Sequence, residues 1–295
     1  MNDIKRKNRV SFSQYSNWDK CEYKWFLDYA KGLRQFEDSL NTCFGTAIHK
    51  AIQTYLKSLY TDGLEVSDSI DVNAIFKKAF DVELQKMTQD GKPTYTEDDY
   101  KEFSYDGDDI LKAFLNSTNR LKHFPRQKYE LVGIEIPVEM DIKNNVSFIA
   151  YIDLILREKT TGIYKIFDFK TSTMGWNKYE REDETKLSQL LLYKAFYSKA
   201  FNVPLEKIDV EFFILKRKLY ENVAFPQSRI QRIIPIQNKK FISKTINNFV
   251  GFLDKCFNLD GTYKLDETYH KNPGKNRKNC KYCSHYKVRC DGKED

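Results

Sequence analysis

Two short apolar runs, each holding one aspartate, constrain this chain more than any other stretch. Residues 148–157 read Phe-Ile-Ala-Tyr-Ile-Asp-Leu-Ile-Leu-Arg, and residues 163–170 read Ile-Tyr-Lys-Ile-Phe-Asp-Phe-Lys. Ile, Phe and Tyr dominate both, so both are predicted strands. The stretch 158–162 between them reads as a hairpin loop, with Gly162 free to take a positive φ. An ionised carboxylate in an apolar strand is costly unless something pairs with it. Asp153 and Asp168 occupy adjoining strands, and a divalent cation would pair with both. Alternate strand residues share a face, so Lys170 stands beside Asp168.

The flanking sequence predicts an α/β fold, a mixed sheet packed between helices. Residues 129–140 alternate polar and apolar and form a strand, with Pro137 suited to an edge or a bulge. The three strands make an antiparallel meander. A helix over 183–201 follows, with Leu187, Leu190, Leu191, Ala195 and Phe196 on its apolar side. It crosses over to a strand at 210–215. A further strand is predicted at 229–236 and a helix at 241–257.

Upstream, Ser11 or Ser13 caps a first helix that Gly32 ends, with Cys21 in its middle. Gly45 and Thr46 begin a second helix. Its buried stripe is Ile48, Ile52, Tyr55, Leu56 and Leu59, and His49 lies at the edge of that stripe. The segments 71–89 and 108–123 are also helical in pattern, separated by a polar surface loop at 91–106. Residues 59–125 thus read as a helical insertion that covers or gates a cleft. Asp106, Asp108 and Asp109 read as an exposed acidic helix start, since the rest of a calcium loop is missing.

At 295 residues and 41% hydrophobic, the chain can bury one large core. No apolar run is long enough to span a bilayer. The polar, basic first ten residues lack the apolar centre of a secretory signal, so an intracellular, cytoplasmic location is expected. The net charge of +7 is modest, and its distribution matters more. Residues 271–289 hold seven Lys or Arg and no acid, and Lys216-Arg217-Lys218 is a second cluster. Such clusters favour a polyanionic partner, nucleic acid above all. Three of the six cysteines form Cys280-x2-Cys283-x6-Cys290, a spacing that in a reducing compartment suits a metal rather than disulfides.

Oxygen ligands from Asp153 and Asp168 suit Mg2+ or Mn2+. The Lys170 ammonium beside such a cation could hold or help deprotonate an attacking water and stabilise developing negative charge, the logic of phosphodiester hydrolysis. Asp-x-Lys alone is common. Gln189 and Tyr193, at i and i+4 on the crossover helix, add to it, because that helix returns over the sheet and can point its polar face at Asp168 and Lys170.

With these pieces the chain resembles the PD-(D/E)XK nucleases, in the RecB-like branch that includes CRISPR-adaptation exonucleases and helicase-associated nucleases. The matching motifs run in the family's order: Ser11-Phe12-Ser13-x-Tyr15-x5-Cys21-x3-Trp25, Gly45-Thr46-x2-His49, Ile152-Asp153, Asp168-Phe169-Lys170, Gln189-x3-Tyr193 and the cysteine triplet. The resemblance implies a restriction-endonuclease-like core within a single nuclease domain over 1–295. The insertion would span about 60–125, the core about 126–257 and a cysteine-rich lobe about 258–295, completed by Cys21.

It also implies roles. Asp153, Asp168, His49 and the carbonyl of Phe169 would hold the metal, and the histidine favours Mn2+ over Mg2+. Lys170 would be the catalytic lysine, with Gln189 and Tyr193 positioning DNA or catalytic groups. Glu135, on the preceding strand, matches no motif and would at most support the ligands from outside. Cys21, Cys280, Cys283 and Cys290 would hold a [4Fe-4S] cluster. Four thiolates suit tetrahedral Zn2+ equally well on spacing alone, and the resemblance favours iron–sulfur. Beside the cluster, Lys281 and His285 would contact phosphates, and Tyr282 and Tyr286 would stack on bases. Cys43 and Cys256 carry no matched role.

The function so implied is a metal-dependent DNA nuclease, an exonuclease on DNA ends or single strands, with a helicase or recombination partner and no membrane. Tyr95, Tyr100 and Tyr105 would line a channel over the site. The alternatives are a non-catalytic DNA-binding or scaffold protein and an RNA-directed nuclease.

Overall fold

Two hydrophobic clusters, one on each face of a single sheet, account for the architecture. The computed structural model describes residues 8–34, 39–89 and 92–290. The N-terminal part holds β1 (Asn8–Val10), α1 (Phe12–Lys20), α2 (Glu22–Trp25) and a π-helical turn (Phe26–Ala30). It continues through α3 (Leu40–Thr61), α4 (Leu64–Asp68), α5 (Val72–Gln85), the short pair β2 (Thr88–Gln89) and β3 (Lys92–Pro93), α6 (Glu97–Leu115) and α7 (Ser117–His123). The core follows as β4 (Tyr129–Lys143), β5 (Val146–Glu158), β6 (Tyr164–Ser172), α8 (Lys178–Arg181), α9 (Glu184–Ala200), β7 (Ile208–Lys216), β8 (Ile230–Ile233) and α10 (Lys239–Cys256). Among the described residues no helix is long and apolar enough to cross a membrane.

The expected meander is present: β4 pairs β5 and β5 pairs β6, both antiparallel. Helix α9 then carries the chain to β7, parallel to β6, and β8 closes antiparallel on β7. Pro137 lies on β4, which among the described residues pairs only with β5 and is an edge strand. The unexpected member is β1, which pairs parallel with the start of β5, from Asn8↔Val146 to Val10↔Phe148. Three residues are too few to show a strand period. The result is a six-stranded mixed sheet flanked by helices, a restriction-endonuclease-like α/β fold.

Helices α1, α9 and α10 cover one face through Tyr15, Leu190, Phe196, Phe249 and Phe252. Helices α3, α5 and α6 cover the other through Phe44, Ile48, Phe76, Phe80 and Phe114. Strand β5 serves both in turn. Phe148, Ala150 and Ile152 join the first cluster, whereas Leu154 and Leu156 join the second. Strict alternation would keep all five on one side. The strand therefore turns over at Asp153. Strand β4 does the same at Glu135: Ile134 packs on the second cluster and Ile136 on the first. Glu135 has φ 52°, the left-handed region that non-glycine residues avoid. The pairs Ile134↔Leu154 and Ile136↔Ile152 flank this point, so the two acids mark one shared inversion of the ribbon.

Several local expectations change. Helix α3 begins at its Ser39 N-cap, not at Gly45, which lies inside it. Cys21 is not mid-helix: its backbone is extended (φ −161°, ψ 106°) and separates α1 from α2. The loop expected at 91–106 is mostly helix, because Thr96 and Asp99 form a reciprocal capping box that starts α6; Gly91 lies outside the described residues.

Asp106 is buried in the interior of α6 rather than exposed at a helix start. Its carboxylate meets Arg217 at 3.1 Å and Lys218 at 2.9 Å. The Arg217 guanidinium stacks 3.8 Å from the Phe103 ring centroid. Arg217 and Lys218 of that cluster therefore clamp α6 to the end of β7. Tyr100 is likewise engaged, stacked on Phe80 and donating to Asp81 at 3.0 Å.

Candidate metal centre

The centre forms where two strands part. Pairing between β5 and β6 runs only from Arg157↔Tyr164 to Leu154↔Phe167. The next residue on each strand is an aspartate, Asp153 or Asp168. Past this point β6 stays with β7, through Asp168↔Phe212 and Lys170↔Ile214, while the start of β5 takes β1 as its neighbour. The Asp153 side chain fills the missing rung: the Phe169 N–H donates to its Oδ2 at 2.7 Å. The N–H and C=O of one strand residue point the same way, so the Phe169 carbonyl faces the same gap.

Asp168 lies at the floor. Lys170 Nζ stands 2.7 Å from its Oδ2, and Gln189 Nε2 donates to its Oδ1 at 3.0 Å. Gln189 also donates to the Tyr193 hydroxyl at 2.9 Å, so the i, i+4 pair on α9 shares one face. Burial pushes the Asp168 pKa up to about 6; the Lys170 ammonium opposes the rise and the Asp153 charge adds to it. Burial raises Tyr193 as well, with the charges of Asp168, Asp153 and Glu135 adding to the effect, so this phenol stays protonated.

The opposite wall is α3. His49 Nδ1 lies 3.6 Å from Asp153 Oδ1, and its ring meets Phe169 edge-on at 6.0 Å between centroids. Burial disfavours a charged His49, but its contact with Asp153 outweighs this and raises the imidazole pKa. Helix α3 passes close to the end of β6 at Gly45, where an added Cβ would come within 3.2 Å of Thr171 Oγ1. One turn beyond His49, Gln53 donates to the Glu135 carboxylate and lies 3.5 Å from the Asp153 carbonyl oxygen. Sequence patterning missed Gln53 and undervalued Glu135. The sequence signal for Glu135 was its place on the strand before β5, without a motif match.

These donors are now spent on each other. Among the described residues, no three His, Cys, Asp or Glu side chains surround one point closely enough to hold an ion as they stand. The donor set still suits Mg2+ or Mn2+: two carboxylates, a carbonyl and an imidazole, at one gap. Asp168 Oδ2 is buried without a hydrogen-bond partner among the described residues beyond its ion pair with Lys170. A cation there would take over the contacts that His49 and Lys170 now make with the two aspartates.

The cysteine motif gathers separately. Cys21, Cys280, Cys283 and Cys290 all line one small cavity between the start of α2 and the tail. The extended backbone at Cys21 makes this possible, and its sulfur accepts the Asn272 N–H at 3.4 Å. These four thiols are the donor set of a tetrahedral thiolate-bound metal or cluster, although among the described residues no three of them surround one point as they stand. Cys43 and Cys256 are core residues, 1% and 0% exposed. His285 is buried rather than facing phosphates, and Tyr286 accepts a hydrogen bond from Arg277 at 2.8 Å, whereas Tyr282 is exposed.

The family model described as the PD-(D/E)XK nuclease superfamily matches residues 9–291. No curated protein matches the chain. The match covers both the parted strands and the cysteine tail, and the chain belongs to the PD-(D/E)XK nuclease superfamily.

Proposed function

We propose that this chain is a deoxyribonuclease of the RecB-like branch, working as an exonuclease on DNA ends or single-stranded DNA, with a [4Fe-4S] cluster at the four cysteines. Membership of the superfamily makes it a divalent-metal-dependent nuclease that hydrolyses phosphodiester bonds. One observation carries the reading of an intact centre: Asp168 contacts both Lys170 and Gln189, while Asp153 contacts His49 and the Phe169 amide, all at the gap between β5 and β6.

In this reading Asp153, Asp168, His49 and the Phe169 carbonyl hold the cation. When bound, Mg2+ or Mn2+ neutralises phosphate charge and makes water a better nucleophile. Lys170, freed from Asp168, turns its ammonium to the attacking water and the developing negative charge. Gln189 fixes the Asp168 carboxylate and, through Tyr193, ties it to α9. The basic tail with exposed Lys281 and Tyr282 offers charge and a stacking face to a DNA strand, and Tyr105, 72% exposed on α6, offers another. Cys21, Cys280, Cys283 and Cys290 would hold the cluster and staple the first helices to the tail. Zn2+ is the other occupant their chemistry allows. A helicase or recombination protein would supply the single strand.

The test is to purify the chain without oxygen, record its visible spectrum, and assay end-labelled single- and double-stranded DNA and RNA with Mg2+ and Mn2+. Cleavage of DNA from its ends and a broad band near about 400 nm support the proposal. Binding without cleavage, or cleavage confined to RNA, overturns the assignment to DNA hydrolysis.

A further inference from the structure

The connection from β7 to β8, residues 217–229, has no task in the function above. Residues 220–226 read Tyr-Glu-Asn-Val-Ala-Phe-Pro, and every one is exposed. Tyr220 is 58% exposed and Phe225 59%. Val223, Ala224, Phe225 and Pro226 form an unbroken apolar run in water. Such a run is a liability unless the surface meets something. The stem beneath this tip is fixed on three sides. The Lys216 N–H donates to the Arg229 carbonyl at 2.8 Å and closes the ends. The Arg217 and Lys218 N–H groups donate to the Ser172 and Thr173 carbonyls, at 2.9 and 2.8 Å, where the chain leaves β6. On α6, Asp106 holds Arg217 and Lys218, and Asp109 holds Arg229. Nearer the tip, Gln227 spans the loop: its Oε1 accepts the Tyr220 N–H and its Nε2 donates to the Tyr220 carbonyl, both at 2.7 Å. A stem already held in this way costs little to order on binding.

The loop stands at the same end of the sheet as the metal centre. Strands β6 and β7 are parallel, with Lys170 opposite Ile214 and Ser172 opposite Lys216. The gap at Asp153 and Asp168 opens toward the carboxyl end of β6, because pairing with β5 stops at Phe167. Strand β7 ends at Lys216, two residues past the partner of Lys170. At about 3.3 Å per strand residue, the stem begins about 7 Å beyond the level of that lysine. A polymer whose backbone enters the gap passes this end of the sheet, so the placement favours DNA as the partner of the tip. Apolar side chains such as Phe and Pro wedge between base steps and unstack them. Aromatic faces receive freed bases whatever their sequence.

We propose that the β7–β8 loop is a strand-parting wedge beside the metal centre. Val223, Phe225 and Pro226 enter the terminal base pairs of a DNA duplex, and Tyr220 receives an unpaired base. The inference rests on the reading of DNA ends as a substrate. It gives that substrate a way to deliver a single strand to the gap.

The test compares the full chain with a variant carrying Tyr220→Ser and Phe225→Ser. Both side chains are exposed, so the variant should unfold at the parental urea concentration. A blunt duplex with 2-aminopurine in its second base pair is mixed with each protein in a chelator, so that no cleavage intervenes. The parent should raise the fluorescence as the pair opens, and the variant should not. With Mg2+ or Mn2+ restored, cleavage of blunt duplex relative to single strand should fall at least about tenfold in the variant. A short unpaired fork at the duplex end should restore it. No rise with the parent, or an equal rise with both proteins, overturns the wedge and leaves the tip to a partner of another kind. An equal loss of cleavage on blunt and forked ends overturns it too. A rise that the variant loses, with no cleavage of any DNA by the parent, upholds the wedge and overturns the nuclease reading instead.

Discussion

Asp106→Ala isolates the clamp that joins the helical segment to the sheet. The Asp106 and Arg217 side chains are 7% and 9% exposed and meet at 3.1 Å. Removing the carboxylate leaves a guanidinium in the core whose Nε already lacks a hydrogen-bond partner among the described residues. Breaking one side of a buried pair costs about 3–5 kcal/mol. The Phe103 face, 3.8 Å from the guanidinium carbon, stays in contact in the variant and gives the orphaned charge a partner, which keeps the cost at the lower end of that range. Lys218 also loses a partner, but it is 39% exposed and keeps Glu102 at 3.0 Å, so this adds about 1 kcal/mol at most. The expected loss is therefore about 3 kcal/mol, a large share of the about 5–15 kcal/mol that holds such a domain folded. Asp106→Leu combined with Arg217→Met removes both charges and should recover most of it. Urea unfolding of the parent, Asp106→Leu, Arg217→Met and the double variant measures the cycle, with Asp106→Ala run alongside. A single-variant loss below about 1 kcal/mol, or a double variant no more stable than Asp106→Ala, refutes the buried-clamp argument.

His123 is 8% exposed, and burial, aided by the charges of Arg232 and Lys122, lowers its pKa to about 4. The unfolded chain takes up this proton below about pH 6.5 while the folded chain does not, so stability is full above that pH and falls between it and about 4. The total is about 3 kcal/mol, and His123→Leu should flatten the stability curve in that window; an unchanged slope contradicts it. Glu135→Gly relieves about 1 kcal/mol of left-handed strain but loses the Gln53 hydrogen bond. Its unfolding free energy should stay within about 1 kcal/mol of the parent while cleavage falls at least about tenfold. Full activity would remove Glu135 from the centre.

The strands, the crossover helix and the placing of Asp153 and Asp168 on adjoining strands were legible because each depends on local pattern. Ile, Phe and Tyr fill β5 and β6, and a strand places Asp168 and Lys170 on one side by its own period. Gln189 and Tyr193 share a helical face for the same kind of reason. What stayed hidden depends on partners distant in sequence. Strand β1 exists only because β5 loses β6 as a neighbour beyond Leu154. The break at Cys21 serves a cavity whose other walls lie in the tail. Asp106 looked like a solvated acid until Arg217 was placed against it, and His285 looked like a phosphate contact until Asp28 was. The inversion at Glu135 and Asp153 leaves no trace in alternation, since it swaps one apolar face for another.

The most direct measurement is cleavage of end-labelled DNA, with and without Mn2+ or Mg2+, by the parent, Asp168→Ala and Lys170→Ala. Circular dichroism and urea unfolding run alongside establish that each variant folds. In the proposed reading Asp168 holds the metal and Lys170, 2.7 Å from it, faces the attacking water, so losing either should remove a group the chemistry needs. The account predicts metal-dependent cleavage by the parent and a fall of at least about 100-fold in both folded variants. Cleavage at the parental rate in both variants would contradict it.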